Sequence, residues 1–456
     1  MKYCLNITKV NQINLKKLLL VIFLFFIFSP INSQAIFLEE IIEKQDGTNL
    51  DSFGTCHAMD GDTLVVGASY QDSKTGAIYI FNKDDQGNWI QISKKRPDDL
   101  QPVYYFGNSV DIQENFIAAA ARNYDYTQNG TFYDASGTVY IYKLENESWS
   151  LSQQLFSPNP GEMYYFGKSI SFSDDYLFIS EYRKTVDEIK NAGLCHVYKL
   201  NNENGQWVFE KTITPRISGT YFQFGYDVAV SGNFAVVGAY MQREEGTTYA
   251  GAAYIYENKA ESGWTEITKI KSNEPQYKAK FGCSVSISEN YLVAGSFMED
   301  ISETEDAGSV YVYNKNDDNW EFQVKLTAPD LKEGDEFGYS VFNTDDYIIV
   351  GANRCDLNNN DDDNIGAAYI FKRDNNEWFF YHKLTPSIMD KTLYFGESVS
   401  ILNDLFIVGA SADESENRKG RVFVYKDMGP LYGDVDLNGM LDIKDAISIL
   451  KKCSIK

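Results

Sequence analysis

The sequence predicts an all-β fold, a seven-bladed β-propeller of four-stranded blades, from three features that keep step along the chain. A Phe-Gly pair returns seven times, at Phe53-Gly54, Phe106-Gly107, Phe166-Gly167, Phe224-Gly225, Phe281-Gly282, Phe337-Gly338 and Phe395-Gly396. Gly54 to Gly396 is 342 residues in six intervals, a mean of 57. All six tryptophans (Trp89, Trp149, Trp207, Trp264, Trp320 and Trp378) lie 17 residues before the next such Phe. Each repeat also has a Gly leading into an alternating strand, as in GAIYIF from Gly76, GTVYIY from Gly137 and GRVFVY from Gly420. A fixed period in this range marks a repeat architecture, and four short strands per unit make a propeller blade.

Residues 1–35 read as a signal peptide. Lys16 and Lys17 precede eleven apolar residues, Leu18 to Phe28, and a Ser33-Gln34-Ala35 end follows. The apolar run is shorter than the about 20 residues a bilayer span needs; a retained signal anchor is the alternative. No later stretch is long and apolar enough to span, so the mature chain is expected to be secreted or cell-surface associated, with no membrane span.

Residues 36–427 form the propeller. In the sixth repeat SVFNT, YIIVGA, AAYIF and EWFFYHKL alternate with period two and are rich in aromatic and β-branched residues, which reads as four strands. The Phe of each pair is expected to wedge between adjacent sheets near the axis, and its Gly to permit close approach or a positive φ. The Trp would fill the wider gap farther out. The seventh repeat has no Trp strand after Arg421 to Lys426, whereas 17 residues before Phe53 lies Ile36, inside AIFLEEIIEK. Ile36 to Lys44 is therefore expected to close the last blade as its fourth strand, which removes an open edge.

The formal charge is -24, and residues 1–35 hold four lysines and no acids, so the remainder carries -28. Such a chain repels nucleic acid and anionic membranes and suits divalent cations and basic partners. Beyond Cys4 the cysteines are Cys56, Cys195, Cys283, Cys355 and Cys453, odd in number and too scattered for a disulfide framework. One or two bridges stay open, with Cys195 read as a buried filler. Asn129 and Asn146 head two N-glycosylation sequons.

After Gly429-Pro430 the pattern changes, and residues 428–456 form a separate segment. With Asp434 at position 1 of a twelve-residue calcium loop, Asp436 falls at 3, Asn438 at 5, Gly439 at 6, Met440 at 7, Asp442 at 9 and Asp445 at 12. These are the oxygen-donor positions, with the backbone carbonyl at 7 and the turn Gly at 6. Ala446, Ile449, Leu450 and Cys453 then share one helical face. Ca2+ is the expected cofactor, because hard oxygen ligands suit it; a solvated acidic turn is the alternative.

The 36–427 repeat resembles the FG-GAP repeat of integrin α-subunit headpieces and many exported proteins. The resemblance implies a seven-bladed propeller that docks a protein or peptide on one face. The family's calcium loop, DxDxDGxxD before the second strand, is absent from AMDGDTLVVGA and VSGNFAVVGA. The tail resembles a single dockerin repeat, an EF-hand-type loop that also ends in Asp, which implies a cohesin-like partner.

Chain alternation puts the loops between strands two and three, and those from strand four to the next blade, on one face. They vary most at Ala121–Ser136, Glu181–Asn191, Met298–Asp306 and Asn353–Asn364, and the face is acidic and tyrosine-bearing. Variable loops on a rigid scaffold are where recognition sits, although solvated connections, including the Asp361-Asp362-Asp363 run, are the plain alternative. His57, His196 and His382 occupy unlike positions, and no catalytic motif accompanies them. Cys56-His57 reads as part of a wedge rather than as a nucleophile pair. The expected function is a non-catalytic binding or scaffold protein with a protein or glycan ligand on the loop-rich face. The alternative is a polysaccharide-acting hydrolase or lyase with a dockerin-like attachment tail.

Overall fold

A computed structural model describes residues 34–46, 51–317, 319–357, 363–412 and 419–430. The expected signal segment, except residues 34 and 35, and the expected calcium loop at 434–445 lie outside the described residues. Leu38–Tyr425 is one compact unit, and within it the strands gather into seven four-stranded sheets. Blade 1 is Phe53–Asp60, Thr63–Ala68, Ala77–Lys83 and Trp89–Lys95, and blade 2 is Phe106–Gln113, Phe116–Ala121, Thr138–Glu145 and Ser148–Phe156. Blade 3 is Ile170–Ser173, Tyr176–Glu181, Leu194–Asn201 and Gln206–Ile213, and blade 4 is Val228–Ser231, Phe234–Ala239, Ala252–Lys259 and Gly263–Ile270. Blade 5 is Val285–Ile287, Tyr291–Ser296, Ser309–Asn316 and Asn319–Leu326, and blade 6 is Ser340–Asn343, Tyr347–Ala352, Ala367–Asp374 and Glu377–Leu384. Blade 7 takes Phe395–Leu402, Leu405–Ala410 and Arg421–Pro430, and its fourth strand is the N-terminal Gln34–Ile42. The expected closure is thus present, two residues earlier than the sequence placed its start.

Neighbouring strands are antiparallel, and the third and fourth strands of blades 1 to 6 slip register at one equivalent point, such as Ile80/Phe81, Ile255/Tyr256 and Ile370/Phe371. A bulge bends and overtwists a strand, so each outer strand turns in the same way.

The Phe-Gly pair acts as the sequence suggested. Phe106 is fully buried among Val65, Ile78 and Ile80 of blade 1 and Ile117 and Ala119 of blade 2. Its ring meets Tyr140 edge-on at 5.4 Å. Gly76 of blade 1 bridges to Phe106 in parallel, at φ 91°, and a Cβ there would lie 2.0 Å from the Phe106 carbonyl oxygen. No side chain fits at that approach. Farther from the axis, Trp264 of blade 4 is 1% exposed and meets Phe178 and Tyr176 of blade 3 at 4.8 and 5.4 Å. Burying a ring of this size contributes about 3 kcal/mol.

The first strands run next to one another around the ring, which leaves backbone N–H groups that need partners. Side chains of the preceding blade supply them. Val228, Val230 and Gly232 donate to the hydroxyls of Ser169, Ser171 and Ser173 at 3.2, 3.2 and 2.8 Å. Asp111 accepts from Phe172 at 2.7 Å and Asp227 from Val285 at 2.8 Å. At the closing junction the imidazole of His57 in blade 1 lies 2.9 Å from both Ser398 and Ser400 of blade 7.

Candidate functional site

The two faces are built differently. On one, strands one and two join through tight turns, such as Asp60 to Thr63 and Ser231 to Phe234. On the other lie the second-to-third-strand loops and the blade-to-blade loops. The loops of blades 3, 4 and 5 share one tight conformation, closed by the antiparallel bridges Val186–Ile189, Glu244–Thr247 and Ile301–Thr304. The blade 2 loop is longer and folds into a hairpin, Tyr126–Gln128 against Thr131–Tyr133. Its turn holds Asn129 and Gly130 at φ 51° and 81°, both positive as a type I′ turn requires. Asn129 and Asn146 are exposed on turns. Of the Asp361-Asp362-Asp363 run, the last alone is described, and its carboxylate pairs with Lys391.

The polar groups at the loop roots tie the scaffold together. In blade 5 the buried carboxylate of Glu299 accepts from Tyr311 at 2.8 Å and Lys325 at 2.6 Å. In blade 6 Asp330 accepts from Tyr369 at 2.9 Å and Lys383 at 2.6 Å. In blade 1 Asp46 takes Tyr79 and Lys94 at 2.5 and 2.7 Å. Burial opposes the Asp46 charge, but hydrogen bonds from Lys44, Lys94, Tyr79 and Gln71 prevail and hold its carboxyl far below the usual range. His196 stands in for the phenol in blade 3, with Nε2 2.9 Å from Glu181 and Nδ1 3.0 Å from Thr212. Tyr140 donates to Asp99 at 2.9 Å in blade 2, and recurrence at one position in these five blades marks the groups as loop anchors.

The cysteines behave likewise. Cys56, Cys195, Cys283 and Cys355 are free thiols, so no bridge joins the described cysteines. Cys56 donates to the Gly107 carbonyl at 3.1 Å, and burial pushes its thiol up to about 12. With His57 turned to blade 7, Cys56-His57 is a wedge at two blade junctions.

A different set of residues surrounds the axial mouth on the loop-bearing face. The residue before each Phe-Gly is left-handed in all seven blades: Ser52, Tyr105, Tyr165, Gln223, Lys280, Glu336 and Tyr394, at φ 52° to 59°. This conformation costs roughly 1–2 kcal/mol for a non-glycine residue. Its recurrence with unrelated side chains shows that the repeat backbone imposes it. These side chains meet residues that open the adjacent loops. Tyr105 meets Tyr70 edge-on at 5.2 Å and carries Arg122 at 5.2 Å. Tyr165 lies 5.8 Å from Tyr182, and Arg183 sits over both at 5.1 and 5.4 Å. The residue after each Phe-Gly adds Lys168, 4.2 Å over Tyr226, which contacts Tyr240 at 3.9 Å.

Both signs of charge line this mouth, and Lys280 of blade 5 sits over the Phe297 ring at 4.7 Å. Arg122, Arg183 and Lys168 belong to blades 2 and 3. Glu336 and Glu397 belong to blades 6 and 7, with Arg354 3.4 Å from Glu336. Enclosure lowers the Lys168 ammonium to about 8 against the attraction of Asp227. It raises the Glu397 carboxyl against the Ser411 hydroxyl bond. Both side chains keep some accessible surface although protein surrounds them, as expected of groups lining a narrow opening. Recognition is expected on this face from its variable loops; the mouth residues are a further set that the loops do not reveal, and their signal is the pair of positions flanking each Phe-Gly.

Among the described residues no group of three or more His, Cys, Asp or Glu side chains is placed to hold a metal ion. Among them, no helix is long and apolar enough to cross a membrane.

A closed ring of seven sheets with long loops at one mouth defines a β-propeller whose distinctive surface is a single face. The chain belongs to the FG-GAP repeat family, whose model matches residues 38–81, 207–256, 264–313, 320–371 and 378–425, more than half of its length. Four of these units begin at or within one residue of a strand-four tryptophan; the first begins at Leu38, in the equivalent N-terminal strand. Blades 2 and 3 carry Ala120 and Ser180 where the others have Gly67, Gly238, Gly295, Gly351 and Gly409. No curated protein matches the chain.

Proposed function

We propose that this is an exported, non-catalytic binding or scaffold protein that holds a protein or glycan partner on the loop-bearing face of its propeller. The observation that supports the reading is the division between the faces. Tight turns close one face, while longer loops and a charged, aromatic mouth occupy the other. Loops on a rigid scaffold tolerate variation and carry recognition, and the anchors at their roots hold them in place.

The test is to immobilise the full chain, present it to a glycan array and to extracellular proteins of the producing cell, and identify what elutes. Shortening the 123–136 loop should weaken the captured interaction, and substitutions in the opposite turns should not. The reverse pattern would defeat the proposal. The same preparation, incubated with polysaccharides, tests the hydrolase or lyase alternative through new reducing ends or unsaturated products.

The tail is proposed to bind calcium through Asp434, Asp436, Asn438, the Met440 carbonyl, Asp442 and Asp445, and to offer a dockerin-like surface to a cohesin-like partner. Calorimetry of the full chain should show one calcium event that Asp434→Ala with Asp436→Ala abolishes; retained stoichiometric binding would refute the assignment.

A further inference from the structure

We infer that the blade 2–4 sector of the mouth receives an acidic protein segment, an Asp or Glu carboxylate flanked by apolar side chains. The inference rests on the binding-face reading above and names the ligand chemistry of that face.

Arg122, Arg183 and Lys168 cluster in one sector of this acidic chain of 41 basic and 65 acidic residues. Several described cations beside the loops face carboxylates, such as Lys269 with Glu244 at 2.7 Å and Lys325 with Glu299 at 2.6 Å, while Lys280 of blade 5 sits over the Phe297 ring at 4.7 Å. None of the three has a carboxylate within ion-pair distance among the described residues. The Nε of Arg183 is buried and has no hydrogen-bond partner. Tyrosine faces hold the cations instead: Tyr105 holds Arg122, Tyr165 and Tyr182 hold Arg183, and Tyr226 holds Lys168. A cation on an aromatic face is positioned but keeps its hydrogen-bond donors. A planar guanidinium so held is ready for a two-point bond to a carboxylate.

The surroundings favour protein over saccharide. Sugars stack on bare aromatic faces, and here cations cover those faces. Three residues before the Phe of blades 2, 3 and 4 stand Val103, Met163 and Tyr221, at 53%, 50% and 49% exposure, and Ile217 nearby is 68% exposed. Their counterparts in blades 5, 6 and 7 are Lys278, Gly334 and Thr392. At this one position the apolar side chains therefore lie on the cationic side of the mouth, although Tyr277 and Met389 are also exposed in the loops before blades 5 and 7. Val103, Met163 and Tyr221 also have positive φ, of 65°, 54° and 63°. Lys278, Gly334 and Thr392 share it, at 63°, 74° and 53°, so the repeat backbone imposes the conformation and the side chains alone distinguish the two sides.

A polar cavity of about 330 Å³ between blades 5 and 6 is lined in part by Asn290, Asp345 and Arg373. It supports no comparable inference, because Arg373 is already paired with Asp346 at 3.0 Å.

The test is to pan a random heptapeptide phage library on the immobilised full chain and to titrate the selected sequence as a labelled synthetic peptide. Selected peptides should share an Asp or Glu beside an apolar residue. Arg122→Gln with Arg183→Gln should weaken binding by at least about tenfold, the loss of a charge-assisted pair, while Lys278→Ser changes nothing. The Asp→Asn or Glu→Gln peptide should lose as much against the unaltered protein, an arm that does not depend on the variant folding. Peptides without acids, or bound equally by the double variant, would overturn the inference while leaving a binding face in place. Polygalacturonate or heparin captured through the same arginines, with no acidic peptide selected, would overturn the choice of protein over glycan.

Discussion

Acid should loosen the junction that closes the ring. His57 is enclosed between blades 1 and 7, with Ser398 and Ser400 each 2.9 Å from a ring nitrogen. Desolvation pushes its pKa down to about 3 from an ordinary value near 6.5. The native state therefore keeps the ring neutral, while the unfolded chain takes up a proton below about pH 6.5. Stability is full above that value and falls with pH until the native pKa is reached. At pH 5 the unfolded state is about 1.5 pH units below its own pKa, which corresponds to about 2 kcal/mol of lost stability. His57 is only partly buried, which makes this an upper bound. His57→Gln keeps a neutral polar group at the junction and removes the titration. Urea unfolding of parent and variant at pH 7 and pH 5 isolates the effect, because every other titrating group is common to both. The parent should lose up to about 2 kcal/mol more than the variant between the two conditions. Equal losses would mean that His57 titrates as it does in water, and a parent that gains stability in acid would mean that the protonated ring is the native form.

Three further outcomes are expected. Glu299→Ala strands the phenol of Tyr311 and the ammonium of Lys325, and should destabilise by about 3 kcal/mol; a double-mutant cycle with Lys325→Met should return a coupling above about 0.5 kcal/mol. Gly67→Ala puts a Cβ 2.1 Å from the Gly107 carbonyl oxygen, whereas Gly61→Ala meets no atom within 4 Å. The first should abolish soluble expression or lower the melting temperature sharply, and the second should cost only the roughly 1–2 kcal/mol of its left-handed backbone. If the acidic-segment inference holds, affinity for the selected peptide should fall as pH rises through about 8, where Lys168 loses its proton among Asp227, Arg122, Tyr226, Cys56 and Cys283; Lys168→Met should flatten that profile.

The blade count, the strand order and the closing strand were legible because each depends on a residue type with few substitutes. Only glycine tolerates the carbonyl that faces Gly76, and Trp264 fills its gap with a ring no smaller side chain replaces. The first-strand ladder has its trace in the alternating serines of residues 169 to 173, but serine has many other uses in a strand and the alternation alone does not single out this one. Asn129-Gly130 is likewise a hairpin signal inside the variable 121–136 loop. The loop anchors were hidden for a different reason. The phenol keeps its place in the repeat, but its acid comes from a blade-to-blade loop at Asp46, Asp99 and Asp330 and from a second-to-third-strand loop at Glu181 and Glu299. Space conserves a position that sequence period does not. The mouth was hidden similarly, because Tyr105 and Arg122 meet only after two loops converge.

The N-terminal strand gives folding in the cell a fixed timetable. Gln34–Ile42 is among the earliest described segments to be synthesised, yet its neighbour Arg421–Pro430 is among the latest. At roughly 5–20 residues per second the ribosome separates the two by tens of seconds. Throughout that interval an aliphatic ribbon waits without a mate, and six nearly finished sheets wait without a lock. Chaperone demand should therefore peak near the end of translation. A circularly permuted gene that moves the ribbon behind residue 427 would let each sheet finish as it emerges.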